Sequence, residues 1–133
     1  MITYKCVSRR HGICGKVPPA YLNKLAVAKW REWALGDAGV ADGAVIANVG
    51  TKVIGFFRYN LGAYSDLLIA YGTWVDSKYR RRGVTSKLWK KAIAKVKPYH
   101  IDVTTTSHAG YKFASKLAKQ YNDVAIYIND VSP

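Results

Sequence analysis

Tyr79-Arg80-Arg81-Arg82-Gly83-Val84-Thr85 sets three guanidinium groups beside a glycine, a combination suited to holding phosphate. Backbone N–H groups in such a turn, and in the first turn of a helix that follows it, have no intrahelical partner. Together with the helix dipole they form an anion site. Gly83 lets a bulky ligand approach the backbone closely. An exposed basic turn that merely precedes a helix is the plainer alternative, and the flanking elements decide between the two. Metal chemistry has less support. Cys6, His11 and Cys14 lack a fourth ligand and a recognised zinc spacing, and two cysteines are too few for a disulfide framework, so both are expected as reduced thiols.

The elements around the turn are those a phosphate site needs. Leu67 to Val75 (LLIAYGTWV) is a near-continuous apolar run with β-branched and aromatic residues, which reads as a strand buried on both faces. Val84, Leu88, Trp89, Ala92, Ile93 and Val96 then recur at helical spacing until Pro98 stops the run. Further strands are expected at Ile2 to Val7, Ala44 to Val49, Lys52 to Tyr59, Tyr99 to Thr106 and Val124 to Ile128. Gly50-Thr51 joins two of them as a hairpin. Pro18 and Pro19 open a helix with Leu22, Leu25, Ala26, Trp30 and Trp33 on one face, and a third helix is expected at His108 to Tyr121, capped by Ser107. Ser8 to Val17 and Gly36 to Gly43 read as loops. The order is strand, helix, three strands, helix, strand, helix, strand: one α+β domain over residues 1–133, built on a mixed sheet with a right-handed parallel crossover from Leu67 to Thr106.

Composition narrows the function. The formal net charge is +13, from 21 Lys and Arg against 8 Asp and Glu. From Ser77 to Ile101 nine basic residues stand without one acidic residue. A phosphorylated cofactor uses only part of that charge. The surplus points to nucleic acid, an acidic protein or electrostatic steering, with simple solvated charge as the bland reading. No apolar run approaches a membrane span and no signal peptide is evident, so a cytoplasmic protein without membrane insertion is expected.

At Arg80, Arg81-Arg82, Gly83, Val84 and Thr85 the chain resembles the GNAT superfamily of N-acetyltransferases. That family's pyrophosphate signature runs Gln or Arg, two variable residues, Gly, one variable residue, then Gly or Ala. Thr85 departs from it. The element order is similar to the GNAT core over nearly the whole chain, with one of the two early helices replaced by the loop from Gly36 to Gly43. The resemblance implies acetyl-CoA as cofactor, a mixed, mostly antiparallel sheet, and a pantetheine arm in the gap where the strands around the signature splay. It further implies that backbone groups near Trp74 and Val75 bind the pantetheine and polarise the acetyl carbonyl, while Arg80 to Thr85 hold the pyrophosphate.

Acetyl transfer to an amine needs a polarised carbonyl, a neutral amine and a proton for the departing thiolate. Aligning Ser107 with the family's helix-capping Asn puts Ala114 where many members have a tyrosine acid. Tyr111, one helical turn earlier, is the candidate in its place, with Ser115 a weaker one and an ordinary surface side chain the alternative. For the base, His11, His100, His108 and Asp76 are available, or water alone. The expected activity is acetyl transfer to an amine on an acidic macromolecular acceptor, a protein or nucleic acid. Two alternatives stay open: a non-catalytic basic nucleic-acid-binding module on the same fold, and an enzyme that modifies a nucleobase or an aminoacyl group on RNA.

Overall fold

The computed structural model describes residues 1–8, 15–16, 43–50, 52–62 and 66–131. The helix expected from Pro18 and the loop that follows it to residue 42 lie outside these residues. The described elements are β1 (Ile2–Ser8), β2 (Gly15–Lys16), β3 (Gly43–Val49), β4 (Lys52–Leu61), β5 (Leu67–Val75), a 3-10 turn (Ser77–Tyr79), α1 (Val84–Val96), β6 (His100–Thr105), α2 (His108–Gln120) and β7 (Ala125–Asp130). They form one seven-stranded sheet in the order β2-β1-β3-β4-β5-β6-β7.

Local chemistry sets the joints of this sheet. Val49 pairs with Lys52, so β3 and β4 are joined by the two residues read as a hairpin turn, and Gly50 takes the positive φ of 59° that such turns require. Three ladders are antiparallel, β1–β3, β3–β4 and β4–β5, and they are longer than the three parallel ones, β1–β2, β5–β6 and β6–β7. The crossovers from β5 to β6 and from β6 to β7 carry α1 and α2, the long connections that parallel neighbours need. α1 ends at Val96 because Lys97 turns left-handed (φ 53°), donates its N–H to the Ile93 carbonyl at 2.8 Å, and is followed by Pro98.

The core lies between the sheet and α1, whose six residues at helical spacing, Val84, Leu88, Trp89, Ala92, Ile93 and Val96, are all buried. They pack with Val45, Ala47, Ile54, Phe57, Leu68 and Ile101 from the sheet. Trp89 is the hub, stacking on Phe57 with ring centroids 4.2 Å apart and meeting Phe113 of α2 edge-on at 5.7 Å.

Several expectations are corrected. β5 is not buried on both faces: Leu68 and Val75 are buried, whereas Ile69, Ala70, Thr73 and Trp74 are half-buried. The face shared with the exposed His100 and Asp102 of β6 carries no described helix, and near its end β5 borders a cleft. β2 appears inside the stretch expected as a loop. Cys6 is disulfide-bonded rather than a reduced thiol; the chain's other cysteine, Cys14, lies outside the described residues. Pairing of β2 with the end of β1 brings the chain back alongside Cys6, a proximity that sequence spacing does not reveal.

Candidate active site

The site begins with a break in the sheet. β5 and β6 pair only from Leu67 with His100 to Ala70 with Val103. Beyond that point β5 stays with β4 as far as Val75, and β6 stays with β7 as far as Thr105. The strands part because Tyr71 is an extra residue in β5: Tyr59 pairs with Ala70 and Arg58 with Gly72, which leaves position 71 as a bulge. A bulge bends its strand and ends local pairing. The edge of β5 from Thr73 to Val75 therefore lacks a strand partner on its β6 side, and main-chain groups there are open to a ligand.

A cleft of about 710 Å³ fills this gap. One wall is Thr73, Trp74 and Val75; the other is Thr104 and Thr105 with the start of α2, including Ser107 and Ala114. Trp89 and Phe113 also line it. Trp89 is fixed by the hydrogen bond from its Nε1 to Thr73 Oγ1 at 3.2 Å, so the same residue packs the core and faces the cleft. On the other wall, buried Thr105 donates its hydroxyl to Asp130 Oδ1 at 2.9 Å.

A second cleft of about 230 Å³ adjoins the first through Val75, Arg80, Thr85 and Phe113, and includes Arg81, Gly83 and Val84. Here the chain leaves β5 through a 3-10 turn capped by Asp76, whose carboxylate accepts from the Lys78 N–H at 3.0 Å. Arg80 folds back so that its Nε donates to the Val75 carbonyl at 3.1 Å. Arg81 (φ 64°) and Gly83 (φ 74°) both adopt the left-handed region. For Gly83 this conformation is the requirement glycine meets, since a Cβ there would point into open space.

The helix that follows presents a bare end. Its first backbone bond runs from the Lys87 N–H to the Gly83 carbonyl, and Gly83 supplies no side-chain cap. The N–H groups of Val84, Thr85 and Ser86 thus have no intrahelical partner. Neither α1 nor α2 has an acidic residue in its first turn, where a carboxylate would ordinarily offset the helix dipole. The positive end of α1 carries neither a side-chain cap nor a counter-charge from its own first turn.

Of the residues singled out in the sequence, Trp74, Val75, Arg80, Arg81, Gly83, Val84, Thr85 and Ser107 line one or both clefts. Ser107 also caps α2, accepting from the Gly110 N–H at 3.1 Å. Arg82 lines neither cleft; its guanidinium lies 5.4 Å from the centre of the Tyr79 ring. Tyr111 is 41% exposed and outside both clefts, whereas Ala114 is buried in the wall of the larger. Among the described residues no carboxylate or imidazole lines either cleft. His100 stacks near Tyr127 at 6.0 Å, and His108 is exposed at the start of α2. Thr73, Phe113 and Thr105 were missed. An alternating pattern marks Thr105 as inward-facing on β6, but nothing in the sequence marks the gap it faces.

A mixed sheet parted beside a basic turn and an uncapped helix gives a phosphorylated ligand an anion site at one end and an open cleft beside it. The GNAT acetyltransferase family model matches residues 12–119 of the 133, and the chain belongs to that family. Its typical cosubstrate is acetyl-CoA. Curated protein sequences include no significant match. Among solved structures, a GNAT-family acetyltransferase of Streptococcus pneumoniae TIGR4 is similar at 21% identity with a TM-score of 0.65, covering 97% of this chain and 98% of that one. A ribosomal-protein-alanine N-acetyltransferase of Brucella melitensis is similar at 13% identity and TM-score 0.57, over 88% and 90% of the two chains. An aminoglycoside N-acetyltransferase solved with CoA matches at 15% identity and TM-score 0.56, over 90% and 86%. At these identities the likeness is one of fold. No helix among the described residues is long and apolar enough to cross a membrane.

Proposed function

We propose that this acetyltransferase moves the acetyl group of acetyl-CoA to an amine carried on an acidic macromolecule. The observation that carries the reading is the continuity of the two clefts, from the parted strands to the bare N-terminus of α1. The pyrophosphate fits the amides of Val84, Thr85 and Ser86 with Arg80 and Arg81 beside them. The pantetheine arm fits along the open edge of β5 at Trp74 and Val75, where main-chain N–H groups can polarise the acetyl carbonyl.

In the reaction a neutral amine forms the new C–N bond, the C–S bond breaks, and the proton lost from nitrogen balances the one gained by the CoA sulfur. Neither cleft offers a carboxylate or imidazole base among the described residues. Among the described residues water is left to carry the proton from the acceptor ammonium; the candidate base His11 lies outside them. Tyr111 stands outside the cleft, which argues against this side chain as the thiolate's proton source. The macromolecular acceptor is supported by charge, since +13 exceeds what a single CoA neutralises.

Calorimetry with acetyl-CoA and CoA tests the cofactor reading, and thiol release with acidic peptides or aminoacyl-RNA as amine donors tests the reaction. Mass spectrometry of the product should place the acetyl group on nitrogen. Failure of both CoA species to bind would sink the proposal. Tyr111→Phe is expected to leave the rate within about twofold, since general acid catalysis contributes about a hundredfold or more where it operates.

A further inference from the structure

The outer face of α1 and α2 carries charge that the cofactor site does not use. Between Ser77 and Asn122 there are twelve Lys and Arg and a single acidic residue, Asp102. Five of the twelve precede or open α1 near the phosphate turn (Lys78, Arg80, Arg81, Arg82 and Lys87). The others run on. Lys90 and Lys95 of α1, Lys97 just after it, and Lys112, Lys116 and Lys119 of α2 are exposed, and Lys91 is half-exposed. Both helices lie on one side of the sheet, as the contact of Trp89 with Phe113 shows, so their lysines make one surface. None of these lysines forms a salt bridge among the described residues. Asp102 lies on the opposite face, since its neighbours Ile101 and Val103 are the buried residues of β6.

We infer that this two-helix face docks the phosphate backbone of a nucleic acid. Two features separate this partner from an acidic protein. First, stable protein interfaces need an apolar or aromatic centre, and the only large hydrophobic side chain exposed on either helix is Tyr111. Second, the charge is uniform and repeated: Lys87, Lys91 and Lys95 recur every fourth residue, a rise of about 6 Å per step along a helix of about 20 Å. Such a row matches a regular polyanion and carries no donor–acceptor pattern for reading side chains. Tyr111, next to Lys112 at the start of α2, supplies one ring on which an unpaired base can stack. The face is separate from the clefts and binds whether or not acetyl transfer occurs.

Fluorescence anisotropy of labelled RNA and DNA, single-stranded and duplex, tests this without acetyl-CoA present. Affinity should fall steeply between about 50 and 200 mM salt. Lys90→Gln with Lys116→Gln should weaken binding by about tenfold or more at about 0.1 M salt, and flatten the log–log salt slope by about 1.5. The control is Lys5→Gln with Lys52→Gln. It removes equal charge elsewhere: Tyr4 faces Lys87 of α1, so Lys5, next along β1, faces away from the helices. The control should change affinity by less than about threefold on the same salt scale. Unchanged CoA binding in the helix variant shows that the fold is intact and separates this test from that of acetyl transfer. Equal losses in both pairs would overturn the inference, because net charge alone would then explain binding. Polyglutamate competing as well as nucleic acid at matched charge would overturn it in favour of an acidic protein, and absence of salt-sensitive binding would overturn it outright.

Discussion

Gly83 and Arg80 fix the geometry of the phosphate turn by different means. Gly83 supplies a left-handed φ of 74°, with nothing within 4 Å of where a Cβ would stand. Gly83→Ala therefore meets backbone strain rather than a clash, costing about 1 kcal/mol. Gly83→Asn should cost less, because Asn tolerates this region. Urea denaturation is the check, and an Ala variant as stable as the parent would show that the turn relaxes freely. Arg80 acts through its hydrogen bond to the Val75 carbonyl, which ties the turn to the end of β5. Arg80→Ala is expected to weaken acetyl-CoA binding by about tenfold, the loss of one charge-assisted contact. Isothermal titration measures it, and undiminished affinity would mean that backbone amides alone hold the phosphates.

At the scale of elements, α1 joins core and site through Trp89. Its indole stacks on Phe57 on one side and bonds Thr73 at the cleft on the other. Trp89→Ala should cost about 3 to 5 kcal/mol, as large aromatic truncations in a core do. Trp89→Phe keeps the stack and loses the hydrogen bond, so about 1 kcal/mol is expected. Equal destabilisation of the two variants by denaturant would contradict this division. α1 was legible in the sequence because six apolar residues at helical spacing and Pro98 mark its face and its end. The turn was legible because a strand precedes it. The parting of β5 from β6 was not, since it depends on an extra residue at Tyr71 that appears only once β4 is in register. β2 has two residues, too few for a periodic signal, and exists through its pairing with β1. Tyr111 and Ala114 show the same limit within a helix: both lie in one amphipathic segment, and only the packing of α2 shows that Ala114 faces the cleft while Tyr111 faces out.

At the scale of the whole molecule, charge sets two opposed responses to salt. A net +13, of which +11 falls between Ser77 and Asn122, makes the folded chain repel itself, most strongly where the two helices lie on one face. Added salt screens that repulsion, the Debye length falling from about 30 Å at 0.01 M to about 10 Å at 0.1 M. The fold should therefore grow more stable over this range, with a rise in Tm of a few degrees for each kcal/mol of repulsion removed, about 2 to 8 °C for domains near this size. Acetyl-CoA binding should weaken over the same range, because the attraction of its phosphates to the turn is screened too. Bound acetyl-CoA still raises Tm by mass action at fixed salt, but by less as salt increases. Scanning fluorimetry across a KCl series with and without acetyl-CoA reads both trends at once. The ligand-free Tm should climb while the ligand-induced shift shrinks. A ligand-free Tm that falls with salt would mean that local attractions, such as the Lys52–Asp76 contact at 3.9 Å, outweigh the crowding of like charge on the helices.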